Sequence, residues 1–461
     1  MATPTAQSTS VNSSHSRNDA VSQTPMDAVS QTPMDAVSQT RMDAVSQTRM
    51  DAVSQTRMDA VSQTRMDAVS QTRNRTVWLA AWPVFAVFAL SNAATPLYGI
   101  WQRELGFSSG TLTAIFACYI VGLLSALLVA GVVSDRVGRK PVLLPAIGLA
   151  MLASMLFATA GSVVMLAIAR LLTGIAVGAI VSAGMAAVTD IGGPERKRVA
   201  ALAASTAMVL GAGFGPLLAG VLSETLPGPT TTIFVIEIAL LASAFVLVAR
   251  WDLPKGAGGR GPWVRFPAVA PGGRTAVAVG IAVFAPGITA TSFVLSLGPS
   301  VLSHLLGATN RVVAGGLAFV MFLAATAIQF AVRPLRVRSV LLGGAAATAT
   351  SMIALVASLQ CSSLPLFVAA AVFAGIGQGL GQLGGLTAIS AAVPADRLAE
   401  TNAAQNVGGY LPAAVLPVTA GFLSDAIGLT AGATAFGAVV LSAAAAGGLY
   451  AALRSTGSRA G

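Results

Sequence analysis

The chain has 461 residues, of which 55% are hydrophobic and only 10% are charged, and its net charge is +10. A soluble domain carries about 25% charged residues, so this composition excludes a chain whose whole surface faces water. The positive charge does not indicate nucleic-acid binding either, because no basic stretch is interleaved with aromatic residues. The composition therefore indicates a membrane protein with no nucleic-acid partner.

An octapeptide repeat fills the first part of the chain. The unit Asp-Ala-Val-Ser-Gln-Thr-Pro/Arg-Met recurs between residues 19 and 73. Each copy offers one valine and one methionine, too little apolar surface to bury a core. We therefore predict that residues 1–75 form a disordered cytoplasmic tail, and a multivalent docking tail is the functional alternative. A third interpretation is a start-site artefact, since each repeat from Met26 onward offers an initiator methionine.

Twelve apolar segments follow, and a membrane-spanning helix needs about 20 mostly apolar residues. They predict an all-α membrane protein with a six-helix half at 76–250, a central cytoplasmic loop at 251–274, a second six-helix half at 275–454 and a short cytoplasmic tail at 455–461. The predicted spans are 77–98, 110–132, 142–162, 164–188, 199–223, 231–250, 275–298, 310–332, 339–358, 364–390, 402–424 and 430–452.

Positive charge concentrates in one set of predicted loops, whereas the opposite set holds only Arg103 and Arg311. By the positive-inside rule, both termini are expected in the cytoplasm, and the chain is expected in the bacterial cytoplasmic membrane. The basic loops hold Arg136, Arg139, Lys140, Arg196, Lys197, Arg198, the arginines from Arg250 to Arg274, Arg333, Arg336, Arg338 and Arg397.

The two predicted halves resemble each other in sequence. Two parallel repeats of six spans predict a site between the halves near the middle of the membrane, exposed alternately to each side. The matches at an offset of 201 positions are Gly174 with Gly375, Gly178 with Gly379, Pro216 with Pro417, and Gly220-Val-Leu-Ser-Glu224 with Gly421-Phe-Leu-Ser-Asp425.

The turn after span two reads Gly131-Val-Val-Ser-Asp135-Arg136-Val-Gly138-Arg139-Lys140. Gly138 can adopt a conformation that other residues avoid, and Asp135 is an anion that can pair with a cation or a helix N-terminus. An ordinary basic loop would explain the arginines but not this spacing. The string resembles the G-x-x-x-D-R-x-G-R-K/R signature of the major facilitator superfamily, which implies that fold and a cytoplasmic latch between its halves. The matching loop at 333–338 has no acid, so the latch is expected mainly in the first half.

Span five contains Gly211-Ala-Gly-Phe-Gly215-Pro216-Leu-Leu-Ala-Gly220. Proline removes a backbone hydrogen bond within a helix, and glycines permit close helix packing. The segment resembles the antiporter motif of drug:proton exporters, although Ala219 replaces the first glycine of the final pair and Leu202 replaces an upstream glycine. The resemblance implies proton-driven export. General Gly/Pro-rich helix packing is the alternative interpretation.

Two charged residues fall well inside predicted spans, away from the span ends. Arg170, in Arg170-Leu-Leu-Thr-Gly174, resembles the family's span-four arginine, which is implicated in proton coupling; the alternative is a structural arginine that reaches an interface. Arginine does not release its proton usefully, so coupling also needs a carboxyl group. Glu237 is the clearest intramembrane acid, about 10 Å from the external end of span six. A shallow glutamate that reaches headgroups or water is its alternative role, and Asp190 and Asp135 are interfacial alternatives as the proton carrier.

Polar and aromatic residues in spans one, ten and eleven are the candidates for a substrate lining. They could orient a mainly hydrophobic substrate, or they could join helices to one another. No acid lies in span one, where several multidrug exporters have one, which argues against broad export of organic cations. The candidates are Asn92, Tyr98, Gln378, Gln382, Gln405, Asn406 and Tyr410.

The sequence favours a secondary transporter that exports small amphipathic or drug-like molecules against inward proton flow. The alternatives are a proton-linked importer of a metabolite on the same fold and a non-transporting membrane receptor or scaffold. No nucleophile–base pair, metal cluster or phosphate-binding loop indicates an enzyme, so no cofactor or metal is expected. The expected partners are a small-molecule substrate, protons and the lipid bilayer, and the expected state is a monomer.

Overall fold

The computed structural model describes residues 74–251, 253, 268–269, 272–305, 307, 309–332, 334–394 and 397–454, and seven helical residues of the repeat at 42, 45–47, 49–50 and 55. Most of the tail predicted for 1–75, most of the loop predicted for 251–274 and all of the tail at 455–461 lie outside the described residues. The chain divides into two units, Met1–Val69 and Ser70–Gly461, and the second unit holds every helix named below.

Twelve helices in the described part of the chain are long and apolar enough to span a membrane. All twelve predicted spans are confirmed, and the largest difference is at the end of α1, which continues to Leu105. The helices are α1 (Asn74–Leu105), α2 (Ser109–Val137), α3 (Lys140–Ala158), α4 (Val163–Gly192), α5 (Lys197–Thr225), α6 (Thr232–Arg250), α7 (Arg274–Ser296), α8 (Arg311–Ala331), α9 (Val337–Gln360), α10 (Leu364–Ala392), α11 (Leu398–Ile427) and α12 (Leu429–Arg454).

Local sequence explains where several helices begin and where they are irregular. The side chains of Ser108, Ser162 and Asn310 each accept a hydrogen bond from a backbone N–H in the first turn of the helix that follows. Such caps satisfy donors that a helix cannot satisfy internally. A 3₁₀ turn at Thr95–Leu97 interrupts α1, a π-helical segment at Ile180–Gly184 interrupts α4, and a short helix with a π-helical segment, Gly298–Ser300 and Val301–Leu305, prolongs α7.

The two halves use the same helix pairings, which confirms the predicted repeat. In the first half α4 packs on α2, α5 on α1 and α6 on α3, and in the second half α10 packs on α8, α11 on α7 and α12 on α9. The matched glycines lie at equivalent contacts. A Cβ on Gly174 would collide with the backbone of Tyr119 on α2, and one on Gly375 would collide with the backbone of Met321 on α8.

Contact between the halves runs mainly through α5 with α8 and through α2 with α11. Consecutive spans are antiparallel, so the turns form two opposite sides of the helix bundle. We call the side with the turns at 138–139, 193–196, 334–336 and 393–394 the basic face. The side with the turns at 106–108, 159–162, 226–231 and 361–363 is the opposite face.

Candidate functional site

Arg170 is fully buried on α4 inside the first half. Its Nε donates a hydrogen bond to the hydroxyl of Tyr98, and its Nη1 donates one of 2.7 Å to the carbonyl oxygen of Ser91, both on α1. Its guanidinium carbon lies 5.0 Å from the ring centre of Tyr98 and 5.5 Å from that of Phe116. Nη2 has no hydrogen-bond partner in the described part of the chain, and none of the ion pairs found there involves Arg170. Neutral groups and ring faces therefore hold this cation.

An aromatic cluster, formed by Tyr98, Trp101, Phe157 and Phe234, lies between Arg170 and α6. The Phe157 and Phe234 rings stack with their centres 5.0 Å apart, and Trp101 lies 5.9 Å from Phe157 and 6.2 Å from Phe234. Phe157 also contacts the cation, with its ring centre 5.8 Å from the guanidinium carbon of Arg170. The cluster therefore joins α1, α3 and α6 around one buried charge.

Glu237 lies on α6, three residues after Phe234 and hence on the same side of the helix. Its side chain has no solvent exposure, and neither carboxyl oxygen has a hydrogen-bond partner among the described residues. Helix α6 packs mainly on α3 and α1. An unpaired ionised carboxylate in such a place costs several kcal/mol. This conformation therefore accommodates the neutral acid more readily than the carboxylate.

The predicted substrate candidates do not form one surface in this conformation. Asn92 is buried and donates a hydrogen bond of 3.0 Å to the Ser91 hydroxyl, while Tyr98 belongs to the aromatic cluster. Gln405 is fully buried where α7, α10 and α11 meet, against Gly280 and Gly385. Neither amide atom of Gln405 has a partner in the described part of the chain.

The remaining candidates lie on α10 and α11 of the second half. Gln378, Gln382, Asn406 and Tyr410 are half-buried. The Gln378 amide oxygen has no hydrogen-bond partner within the described ranges, and the Tyr410 ring meets Phe284 edge-on at 6.1 Å. Gln378 and Gln405 therefore bring unpaired neutral polar atoms into the described part of the second half.

Sequence reasoning missed Tyr119 on α2 and Phe322 on α8. Both rings, like that of Tyr410, pack against the hydrophobic cores of both halves. They therefore lie where the halves meet, which is the place predicted for a transport site. The available signal was that these aromatic residues fall near the middle of predicted spans that lie in different halves.

The predicted latch motif forms a network within the first half. Arg139 bonds Asp135 on α2 at 2.6 Å and Asp190 on α4 at 3.1 Å. Burial lowers the pKa of Arg139, but the hydrogen bonds and charges of the two aspartates outweigh burial and raise it. Lys140 donates to the carbonyl oxygens of Ala249 and Trp251 at the end of α6, and Gly138 has a φ of +99° in the turn. The network ties α2, α4 and α6 together at the basic face.

The glycines of the predicted antiporter motif bring α5 against two other helices. A Cβ on Gly211 would lie 2.5 Å from the carbonyl oxygen of Phe85, and one on Gly215 would collide with that of Ala89, both on α1. A Cβ on Gly220 would lie 2.5 Å from the carbonyl oxygen of Arg311 on α8. The Pro216 carbonyl oxygen lies against Gly315 of α8. The motif therefore packs α5 on its own half and on the other half.

Twelve spanning helices in two matched six-helix halves define the class of membrane-transporter folds that are built from parallel repeats. A family model described as Major Facilitator Superfamily matches residues 77–335, which is more than half of the chain. The chain belongs to the Major Facilitator Superfamily, and it is a multi-pass membrane transporter rather than an enzyme.

Similar proteins agree with this assignment. A stretch of 137 residues is 31% identical to a triacylglyceride transporter of Mycobacteroides abscessus, covering 30% of this chain and about a quarter, 26%, of that relative. The crystal structure of a mutant nucleoside transporter, NupG, covers 82% of this chain and 99% of its own, with a TM-score of 0.64 at 10% identity. An inward-facing, occupied bacterial homolog of the human lysosomal transporter Spinster covers 83% and 97%, with a TM-score of 0.65 at 13% identity. These structures show the shared fold alone.

Proposed function

We propose that this transporter exports small amphipathic or drug-like molecules in exchange for protons, by alternating access of a site between its halves. We place it in the bacterial cytoplasmic membrane as a monomer with both termini in the cytoplasm, because the positively charged loops lie on one side. The observation that carries the coupling proposal is that Arg170 and Glu237 are buried in one half without ionic partners among the described residues.

Glu237 is the proton carrier in this proposal. A carrier must take a proton from one side and release it to the other, and a carboxyl group that is buried in one conformation and wetted in another can do so. In the present conformation its site favours the neutral acid. When the helices move and water reaches Glu237, ionisation of the carboxyl group costs less free energy, and the proton leaves.

Arg170 acts on this cycle through position rather than by titration. It joins α4 to α1 through hydrogen bonds to Tyr98 and Ser91. Its guanidinium also contacts the ring of Phe157. Phe157 stacks on Phe234, which lies three residues before Glu237 on α6. A movement of α1 or α4 therefore changes the packing beside the acid. The basic-face network of Asp135 and Arg139 is the proposed latch that closes that face in the other conformation.

The substrate class follows from the groups at the boundary between the halves. Tyr119, Phe322 and Tyr410 offer aromatic surface there, and Gln378, inside the second half, holds an unpaired neutral oxygen. Such a boundary suits a mainly apolar molecule with a neutral polar group. The partial similarity to a triacylglyceride transporter supports an amphipathic, lipid-like substrate.

Proton flux in proteoliposomes tests the coupling. A pH-sensitive dye reports proton movement when neutral amphipathic probes, Nile red and a fluorescent diacylglycerol, are added to purified protein. We expect Glu237→Gln to keep probe binding and to lose proton movement linked to the probe, because the amide cannot carry a proton. Glu104→Gln is the matched control, since Glu104 is exposed at the end of α1. Wild-type proton flux in Glu237→Gln would show that another group carries the proton.

The direction of transport needs a separate measurement. Everted and right-side-out membrane vesicles energised with a proton gradient present opposite faces to the probe. Export predicts accumulation in everted vesicles driven by their acidic interior. Accumulation only in right-side-out vesicles would establish the importer instead.

A further inference from the structure

At the opposite face, two carboxylates form hydrogen bonds between the two halves of the molecule. Asp425, near the end of α11, accepts hydrogen bonds from the backbone N–H of Ser109 at 2.9 Å and of Gly110 at 2.8 Å, at the start of α2. Glu224, near the end of α5, accepts a hydrogen bond of 2.9 Å from the backbone N–H of Arg311 at the start of α8. Each acid therefore binds the N-terminus of a helix in the other half.

The two contacts occupy equivalent positions in the internal repeat. Positions 224 and 425 differ by 201, and so do positions 110 and 311, whose N–H groups are the donors. A glycine precedes each acid by four residues and lets the backbones approach. A Cβ on Gly220 would lie 2.5 Å from the Arg311 carbonyl oxygen, and one on Gly421 would lie 2.8 Å from that of Ser109.

The position of each acid is unfavourable within its own helix. Asp425 lies in the last turn of α11, which ends at Ile427, and Glu224 lies in the last turn of α5, which ends at Thr225. A negative charge at a helix C-terminus opposes the helix dipole, whereas one at a helix N-terminus is stabilised by it. The charge of each acid is therefore stabilised by the dipole of the helix that it binds and disfavoured by the dipole of the helix to which it belongs.

We infer that Glu224 and Asp425 are the two locks of a gate at the opposite face, each holding one half against the other. A lock requires the two halves to be in contact at that face, so both locks favour the conformation that is closed there. A weaker contact between the Gln102 and Ser300 side chains, at 3.4 Å, joins α1 to the prolonged end of α7 at the same face.

Contacts at the basic face differ from those of the gate. The hydrogen bonds and ion pairs recorded for Asp135, Arg139 and Lys140 stay within the first half. Opening the gate therefore breaks carboxylate–helix contacts at one face without breaking these contacts at the other. The inference rests on the transporter class and holds for either direction of transport and with or without proton coupling.

Distances between the halves test the gate. In full-length protein with Cys118→Ser and Cys361→Ser, spin labels at Leu226→Cys and Ile427→Cys report the opposite face, and labels at Lys197→Cys and Ser390→Cys report the basic face. All four positions are exposed. Pulsed electron paramagnetic resonance in lipid nanodiscs then gives the distance distribution at each face.

We expect Asp425→Asn with Glu224→Gln to raise the ratio of open to closed molecules at the opposite face about tenfold, because a hydrogen bond to a charged group contributes about that factor or more. The basic-face labels should move closer in the same molecules. Asp425→Glu with Glu224→Asp keeps both charges and should keep more of the closed state. Glu104→Gln, an exposed acid at the same face, should leave both distributions unchanged.

A purely structural role for the acids would lower the melting temperature without this opposed change at the two faces. Wild-type distances at both faces in the doubly neutral variant would overturn the inference. If that variant does not fold, the single variants Asp425→Asn and Glu224→Gln are measured instead. Wild-type distances in both single variants would also overturn the inference. A failure of proton coupling in the flux experiment would leave these distances unaffected, so the two proposals are tested separately.

Discussion

The first and second halves share one arrangement of helices but differ in what they bury. Arg170 of α4 corresponds to Ala371 of α10 at the offset of 201, and both side chains are fully buried. Glu237 adds a second ionisable group to the interior of the first half. Among the described residues of the second half, the buried polar side chains are all uncharged.

The contact between α7 and α10 also differs from the contact between α1 and α4. In the second half α7 lies directly against α10, since a Cβ on Gly287 would be 2.8 Å from the Gln378 nitrogen and one on Gly381 would be 2.9 Å from the Phe284 Cα. In the first half, Arg170 joins α4 to α1 through hydrogen bonds to Tyr98 and to the carbonyl oxygen of Ser91. The comparison teaches that the repeat preserves the helix arrangement, whereas the buried charged side chains of the described residues lie in the first half.

The largest effect is expected from placing a charged side chain in the interior of the second half. We expect Ala371→Arg to prevent stable folding, because an unpaired buried cation and the added volume together cost more than about 3 kcal/mol. The yield of monodisperse protein in detergent is the measurement. Ala391→Arg, at an exposed position near the basic end of α10, should give a wild-type yield. Normal yield and melting temperature for Ala371→Arg would mean that the two interiors are interchangeable.

Removing the charge from the first half should separate function from stability. We expect Arg170→Met to reduce transport at least about tenfold, whereas the melting temperature stays equal or rises, because replacing a buried charge by an apolar group is often neutral or stabilising. Arg170→Lys keeps the charge but cannot bond Tyr98 and Ser91 in the same geometry, so its rate should be intermediate. Transport in vesicles and a thermal melt are compared for each variant. Wild-type transport by Arg170→Met would contradict a role for the cation.

Widening the close contact in the second half should act on stability. We expect Gly381→Ala to destabilise the protein by about 1–3 kcal/mol, since the new methyl group meets the backbone of α7 and cannot be accommodated by a side-chain rotation. Gly148→Ala on α3 is the matched control, because no atom lies within 4 Å of the Cβ that it would add. Thermal unfolding followed by aggregation or fluorescence measures both. Equal melting temperatures would show that α7 and α10 can separate at little cost.

The smallest expected effect concerns the proposed latch, whose Asp135, Arg139 and Asp190 all lie in the first half. Asp135→Asn removes one of the two anions beside Arg139, at a site where the carboxylate side chain is 61% exposed. An exposed ion pair contributes about 0.2–1 kcal/mol, so we expect turnover to fall about two- to fivefold while insertion is normal. Initial transport rates in proteoliposomes check this expectation. Unchanged turnover would argue against the proposed latch.

Much of the fold could be predicted because the bilayer imposes a simple rule on sequence. Every spanning segment must be long and apolar, so all twelve spans were visible, and the matched glycines such as Gly174 and Gly375 indicated the repeat. The extension of α1 to Leu105 was missed because Gln102, Arg103 and Glu104 lower its hydropathy. These residues lie in the last turn of the helix, where polar side chains can reach water.

The candidate site was predicted only in part. Arg170 and Glu237 were identifiable because ionisable residues are rare within spans. The surroundings of Arg170 were not, because Trp101, Phe157 and Phe234 come from three helices and meet only after packing. Polar residues such as Gln405 were ambiguous for a physical reason. An amide within a span can face a substrate or a neighbouring helix, and residue type does not distinguish the two.

The paired locks have a consequence for how the molecule is put together. Each half supplies one acid and one helix start, so the contact is pseudo-symmetric and resembles the isologous contact of a two-fold dimer. The covalent link between the halves is therefore not needed to specify how they meet at this face. Two separate polypeptides, one for α1–α6 and one for α7–α12, carry complementary surfaces and should assemble into the same pair when expressed together.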